Sequence, residues 1–274
     1  MTSNPTTDSL EEPDTAGGCL VAAILERCRD TRAMIGRCGI LPVADVHGSR
    51  KNLKKIRAGI KLLGDADGFD PAEANRLCRD VGRLLSGLRD ADVCLLTLER
   101  MDPDLDRFAA LADKLRSRRE ELHQRHLPDA DAHHEIVADL VAVESILRSL
   151  LLDRITPAHL NRALRKTRKR ARRRYVEMDA GDNPHAYHDF RKATKRELYQ
   201  ARYLGADPRP GGRLDKLDRL GECLGRNQDL IVLRETAEAL GELDERLATM
   251  IDDERESARA ECRRLARELY GRAR

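Results

Sequence analysis

Apolar residues recur at intervals of three and four along nearly the whole chain after residue 18, the spacing that places side chains on one helix face. No alternating apolar and polar run is long enough to predict a strand. The first half is predicted to form helices at about 19–38, 45–64, 71–87, 89–101, 105–126 and 131–152. The second half is predicted to form helices at about 157–179, 184–204, 212–224, 227–240 and 242–270. The predicted fold class is all-α.

Turn-forming residues mark several of the helix starts. Asp70-Pro71, Thr156-Pro157 and Asn183-Pro184 each combine a capping side chain with proline at the first helical position. Residues 1–18 are acidic and rich in Ser, Thr and Pro, which predicts a disordered tail. We therefore expect one helical domain over residues 19–274.

The chain also repeats itself. The segment 47–55, with the pattern His-x-x-Arg-Lys-x-x-Lys-Lys, recurs as His-x-x-Arg-Lys-x-x-Lys-Arg over 188–196, shifted by 141 residues. The segment 87–92 resembles 224–229 in layout, with a shift of 137 between the Arg and Asp residues. Because the matching segments occur in the same order in both halves of the chain, they indicate a duplication. We expect two similar helical bundles, at about 19–152 and 157–270, related by a pseudo-two-fold axis.

The predicted helix near 45–64 carries a stripe of positive charge beside its apolar stripe. Its basic face has the spacing of one side of a helix and consists of His47, Arg50, Lys54, Arg57 and Lys61. The basic stripe lies about 100° from the apolar stripe around the helix. The aliphatic parts of these side chains therefore border the packed face, and their charged ends line a groove. Like charges four residues apart cost about 0.2–0.5 kcal/mol per pair. No acidic residue relieves this repulsion between His47 and Lys61, and a bound polyanion would.

The predicted helix near 157–179 is more strongly basic. Nine basic residues and no acidic one lie between Arg162 and Arg174. An apolar stripe survives, so this helix still packs. A mixed charge run is normally a solvated face. A run of one sign favours binding of an anion.

Composition narrows the remaining possibilities. The formal net charge of +3 favours no particular partner, although 36% of the residues are charged. Seven cysteines are spread singly, which argues against a disulfide framework or a thiolate zinc site and favours a reducing compartment. No signal peptide is recognisable and no stretch approaches the roughly 18 apolar residues needed to cross a bilayer. We expect a cytoplasmic protein with no membrane partner and no cofactor.

Four segments in order resemble the CHAD domain, the conserved-histidine α-helical domain family. Val46–Ala58 is similar to its first signature helix, and Leu88–Val93 to the following Arg-Asp-x-Asp element. The second signature is matched by His188, Arg191, Lys195, Arg196 and Tyr199. Leu224–Asp229 resembles the late element of the family. The likeness covers almost all of the chain from about residue 19 to 270.

The resemblance implies a pair of antiparallel four-helix bundles around a basic central pore or groove that binds inorganic polyphosphate without catalysis. The resemblance also implies polyphosphate granules as a partner. The matching candidates for binding are His47, Arg50, Lys54, Arg57, His188, Arg191, Lys195 and Arg196. The strongly basic helix and the first helix add Arg165, Lys169, Arg172, Arg173, Arg27 and Arg32. One departure is Leu198, which stands where the first repeat has Arg57.

Two other functions stay open at this point. The basic faces would also suit nucleic acid, although few aromatic side chains are present to stack bases. A phosphohydrolase or a histidine-ligated metal protein is the other alternative. His123-x-x-His126 and His133-His134 are the candidate metal ligands. Neither histidine pair comes with further ligands in register, so we expect no metal site and no catalytic residues.

Overall fold

The computed structural model describes residues 15–36, 41–64, 71–125, 130–181, 183–206 and 209–271. Within them the chain forms ten α-helices and no strands, which confirms the all-α prediction. The first six are α1 (Ala16–Ile35), α2 (Val43–Leu63), α3 (Pro71–Leu84), α4 (Ser86–Met101), α5 (Ala109–Arg125) and α6 (Ala130–Arg148). A short 3₁₀ turn at Leu152–Arg154 precedes α7 (Pro157–Asp179), α8 (Pro184–Tyr203), α9 (Arg213–Ala239) and α10 (Glu245–Tyr270). No described helix is both long and apolar enough to span a bilayer.

One bundle forms from α1, α2, α3 and α6 around a shared core. Helix α1 packs against α2, α2 against α3, α3 against α6, and α6 against α1. The apolar stripe of α2 enters this core through Val46, Leu53, Ile56, Ile60 and Leu63. These are the positions that the periodicity of the segment predicts, and burying them fixes which way the basic stripe faces. The orientation of α2 therefore follows from its sequence pattern.

A second bundle forms from α7, α8, α9 and α10. Among the described residues, its interior contains one charged side chain, Glu197 of α8, which is fully buried. The Glu197 carboxylate accepts hydrogen bonds from Arg213 of α9, at 2.7 and 2.9 Å, and from the Tyr270 hydroxyl of α10, at 2.9 Å. Arg168 of α7 lies 3.4 Å from the same carboxylate. A buried charge is tolerated only when paired and hydrogen-bonded, and here one carboxylate links all four helices.

The helices α4 and α5 extend the second bundle. They share a third core with the C-terminal half of α9 and the start of α10. At this contact the Cys94 thiol of α4 lies 3.4 Å from the Thr236 hydroxyl of α9. The chain thus carries part of its first half onto helices of its second half.

The two bundles meet where α2 packs against α8. Ala58 of α2 belongs to the core of the second bundle, and its carbonyl accepts a hydrogen bond of 3.1 Å from the buried side-chain amide of Gln200. Gly59 allows the close approach, because a Cβ there would lie 2.6 Å from Ile24 and 3.2 Å from the Tyr203 ring. This contact brings the two basic signature segments side by side.

The predicted elements differ from the structure in several places, of which three follow. The predicted helices 212–224 and 227–240 are one helix, α9, because buried residues continue at helical spacing straight through Gly225. The first helix begins at Ala16, so residues 16–18 are helical and not part of a tail, while residues 1–14 lie outside the described part of the chain. Helix α5 begins at Ala109, four residues later than predicted. The pseudo-two-fold relation between the repeats stays a prediction.

Candidate functional site

The basic stripe of α2 lies along the junction of the two bundles. Arg50 is half-buried, and its Nη1 donates a hydrogen bond of 2.7 Å to the carbonyl of Gly82 in α3. Burial lowers the pKa of the Arg50 guanidinium, as do the charges of Arg89 and Arg191, while Asp90 opposes the shift. Arg50 is therefore anchored to α3 at one nitrogen and faces cations from α4 and α8.

Lys54 lies one turn further along α2 and is the most perturbed cation of the stripe. The Lys54 side chain is exposed to solvent. Protein atoms nevertheless surround its ammonium group closely enough to remove part of its hydration. Burial first, and then the charges of Arg191, Arg50, Arg89 and Lys195, lower the pKa of Lys54 to about 8. Cations from three helices thus converge on one ammonium group, where an anion would be strongly favoured.

The second signature segment supplies its cations from α8. Burial lowers the pKa of Lys195, Asp218 opposes the shift, and Arg191 adds to it. The Lys195 stem lies directly against Gly221 of α9, where a Cβ would come within 2.7 Å of Cε. Glycine at this position gives the lysine its room, and a side chain there would push the ammonium away.

The two histidines begin their stripes in similar surroundings. Burial first, and then Arg89 and neighbouring basic residues of α2, lower the pKa of His47. Burial and Lys192 lower the pKa of His188, while its hydrogen bond to Gln228 raises it. The His188 Nδ1 lies 2.9 Å from Gln228 Oε1, so Nδ1–H donates and the neutral ring keeps an acceptor at Nε2. A protonated ring could donate from Nε2 to an anion.

Two carboxylates lie among these cations. Burial raises the pKa of Asp90 on α4, against the charges of Arg50 and Arg89. Burial likewise raises the pKa of Asp229 on α9, against the charges of Arg191 and Arg89. The sequence motif drew attention to this region, but Arg89 was not predicted as a binding residue. Its charge acts on the His47 stripe of α2 and on Asp229 of α9. The recurrence of the motif was the only signal of its position.

Three cavities adjoin one another along α2. The first, of about 250 Å³, is lined by Arg50, Leu53, Lys54, Arg57, Cys78, Arg79, Gly82, Arg83 and Ser86. The second, of about 530 Å³, is lined by Arg57, Lys61, Pro71, Ala72, Glu73, Asn75, Arg76 and Arg79. The third, of about 410 Å³, is lined by Lys61, Gly64, Pro71, His159, Arg162, Ala163, Lys166, Thr167, Arg170 and Arg196. Neighbouring cavities share lining residues, so they form a row.

This row includes basic residues that the sequence reasoning missed. Arg76, Arg79 and Arg83 of α3 line it, although ion pairs with Glu73 or Asp80 engage each of them in part. Their mixed-sign surroundings in the sequence resemble a solvated helix face. Only the packing of α3 beside α2 places them at the cavities.

The basic residues of α7 divide between two sides of the helix. Arg162, Lys166 and Arg170 line the third cavity beside α2. The predicted residues Lys169, Arg172 and Arg173 instead line a separate cavity of about 480 Å³ with Tyr175, Val176, Tyr270 and Gly271. Arg165 is exposed and lines none of these four cavities.

The two predicted residues of α1 lie outside the row of cavities. Arg27 forms an ion pair of 3.2 Å with Asp30 on its own helix, and Arg32 lies 3.6 Å from Glu144 of α6. Neither lines the three cavities along α2. The structure therefore brings together the α2 and α8 candidates and leaves the α1 candidates apart.

Positions 57 and 198, which the repeat shift of 141 residues relates, lie in different surroundings. Leu198 stands where the repeat would place a counterpart of Arg57, but it is fully buried in the core of the second bundle. Arg57 lines two of the cavities. The repeat shift therefore does not preserve the environment of this position.

The histidine pairs suggested as metal ligands are only partly visible. His126 lies outside the described residues, and so do the side chains of His123 and His133. Within the described part of the chain, no group of three or more His, Cys, Asp or Glu side chains is arranged to hold a metal ion. Cys38 also lies outside it, and the other six cysteines are free thiols there.

Comparisons with known proteins identify the family to which this chain belongs. No curated protein matches the sequence. The chain is similar in fold to the crystal structure of the CHAD domain from the plant Ricinus communis, with a TM-score of 0.65 and 21% identity over 100% of this chain and 98% of that one. The family model described as the CHAD domain matches residues 23–238. That span is well over half of the sequence, and the chain belongs to the CHAD domain family.

Proposed function

We propose that this protein binds inorganic polyphosphate, a linear polyanion, along a basic groove at the junction of its two bundles. The basic groove consists of the three cavities along α2 together with the adjoining cations Arg89, Arg191 and Lys195. Membership of the CHAD family supports the choice of ligand.

The observation that carries the proposal is the crowding of like charges at Lys54. Burial and four neighbouring cations lower the pKa of its ammonium to about 8, so these groups repel one another in the free protein. Repulsion of this kind destabilises the free protein, and a bound anion would compensate for it. Phosphate oxygens placed among these side chains would replace repulsion by charge-assisted hydrogen bonds.

The length of the groove favours a chain of phosphates over a single one. From Arg50 to Lys61 the axis of α2 rises about 16 Å, at 1.5 Å per residue. Cations of α3 and α7 flank this path. An extended polyanion can contact many of these groups at once, whereas orthophosphate reaches a few, so affinity should grow with chain length.

We include in the proposal that binding is not followed by turnover. Arginine and lysine supply charge and hydrogen-bond donors, which suffice to hold a polyanion. Polyphosphate incubated with the protein and Mg²⁺ should therefore be recovered intact. Phosphate release that a groove substitution abolishes would contradict this part of the proposal.

Titration calorimetry over a range of salt concentrations tests the binding. Polyphosphate should bind with an affinity that falls steeply as salt rises, because many counterions are released together. Arg50→Gln with Arg191→Gln should weaken binding and reduce the salt slope. Arg116→Gln with Arg264→Gln is the matched control, since both arginines are exposed and lie on α5 and α10. Equal affinity for orthophosphate, or equal losses in both double variants, would contradict the proposal.

Competition separates polyphosphate from nucleic acid. The lining of the groove contains no Phe, Tyr or Trp among the described residues, so the large rings that stack bases are missing there. Duplex RNA or DNA should displace labelled polyphosphate only at much higher phosphate concentration. Displacement at equal phosphate concentration would favour a general reader of nucleic-acid backbones.

A further inference from the structure

The third cavity of the groove, which we call the α2-end cavity, lies where the C-terminal end of α2 meets α7 and α8. Five cationic side chains and two further polar ones line it: Lys61, Arg162, Lys166, Arg170, Arg196, His159 and Thr167. Its volume of about 410 Å³ is that of a small-molecule site. Because three helices contribute its cations, this cavity can surround a phosphate group from several sides.

The arginines of the α2-end cavity crowd one another. Burial first, and then the charges of Arg170 on α7 and Arg57 on α2, lower the pKa of Arg196 on α8. The free protein therefore holds like charges together at this place, as it does at Lys54. An anion bound here would gain from all of them together.

The α2-end cavity also lies where the α2 stripe stops. Lys61 is its last cation, and the helix ends at Leu63 with Gly64 in a left-handed conformation, at φ 50°. The His159 Nε2 lies 3.0 Å from the Leu63 carbonyl and donates to it. Between Lys61 and its end, α2 carries no further cation, so a chain that follows the α2 stripe meets the last cation of that stripe at this cavity.

We propose that the α2-end cavity holds the terminal phosphate of a polyphosphate chain, so that the protein recognises chain ends. This inference rests on the proposed polyphosphate binding. By analogy with a phosphate monoester, a terminal phosphate has a second pKa of about 6 and a charge of about −1.5 to −2 at neutral pH. Each internal phosphate carries a single negative charge. The end of the chain is therefore stabilised most where cations converge from three helices.

The test compares two forms of linear polyphosphate of one length. In one form both ends are free, and in the other both ends are blocked as phosphoramidates with a neutral amine. The wild-type protein should bind the free-ended form about tenfold more tightly. Arg162→Gln with Arg170→Gln should reduce this preference to about twofold or less while still binding the blocked form.

The matched control is Arg165→Gln with Arg172→Gln. These arginines lie on the same helix, are exposed like Arg162 and Arg170, and do not line the α2-end cavity. The control should keep the full preference for free ends. Thermal melting should show both double variants folded, and Lys166→Gln offers a single substitution at the same cavity.

Three results would overturn the inference. Equal affinity of the wild type for both forms would show that chain ends are not recognised. A preference that survives in Arg162→Gln/Arg170→Gln would place recognition elsewhere. If neither form binds, the proposed function fails and chain-end recognition fails with it. Equal binding of both forms removes only the chain-end inference.

Discussion

The positive charge of Arg57 on α2 acts on Arg196 on α8, across the junction of the two bundles. After burial and Arg170, the charge of Arg57 is the next cause that lowers the pKa of Arg196. The pair spans the two bundles, and each residue lines a different part of the basic groove. Both arginines are thus oriented by the packing of their own helices, and their mutual repulsion is a cost that a bound polyanion would offset.

Replacing Arg57 should separate its role in binding from its role in stability. Arg57→Leu should weaken polyphosphate binding about fivefold, or about 1 kcal/mol, because one charge-assisted contact is lost. The salt slope should fall by roughly 0.7, the contribution of one phosphate contact with a single-stranded polyanion. Titration at several salt concentrations measures both. The melting temperature should stay the same or rise slightly, because repulsion with Arg196 is removed.

Arg116→Leu is the control for this substitution, since Arg116 is an exposed arginine of α5. It should change neither affinity nor salt slope. If Arg57→Leu behaves like Arg116→Leu, the α2 stripe is not the binding face.

A substitution at position 198, the counterpart of position 57 in the second repeat, should affect stability and not binding. Leu198→Arg should destabilise the protein by several kcal/mol, because Leu198 is fully buried and the guanidinium would have no partner in the core. Leu198→Met keeps the volume and should cost less than about 1.5 kcal/mol. Urea denaturation measures both. A stable Leu198→Arg protein that binds polyphosphate more tightly would show that position 198 faces the groove after all.

Positions 57 and 198 also show which features of the structure can be predicted from the sequence and which cannot. Periodicity predicted α2, its buried stripe and its basic stripe, because those depend on neighbours within one helix. The division of the α7 arginines between two cavities depends on which helices flank α7, which no local spacing records. The α3 arginines were missed for the same reason. Repetition located the signature segments, but it could not show that one repeat position had become core.

Binding should depend on pH through groups that are less protonated in the free protein. Burial and neighbouring cations lower the pKa values of His47 and His188, and that of Lys54 to about 8. A bound polyanion favours the charged forms, so binding takes up protons. Affinity should therefore fall as pH rises, first as the histidines lose their protons and again as pH passes 8. Calorimetry in buffers of different ionisation enthalpy measures the proton uptake directly.

Lys54→Arg isolates the upper part of this dependence. Arginine stays protonated throughout the range, so the fall in affinity between about pH 7.5 and 9 should become shallower. The lower part, which the histidines cause, should remain. An unchanged upper part would assign it to another group.

Two glycines of α9 provide a paired test of how Lys195 is positioned. Gly221→Ala places a Cβ about 2.7 Å from the Lys195 Cε, so the lysine must move. Its side chain is flexible, and the better helix propensity of alanine offsets part of the cost, so stability should change by less than about 1 kcal/mol. Polyphosphate affinity should nevertheless fall, because the ammonium is displaced from the cluster around Lys54. Gly225→Ala meets nothing within 4 Å and should stabilise α9 by about 0.5–1 kcal/mol without affecting binding. If both variants bind like the wild type while both gain stability, the position of Lys195 against α9 does not contribute to the site.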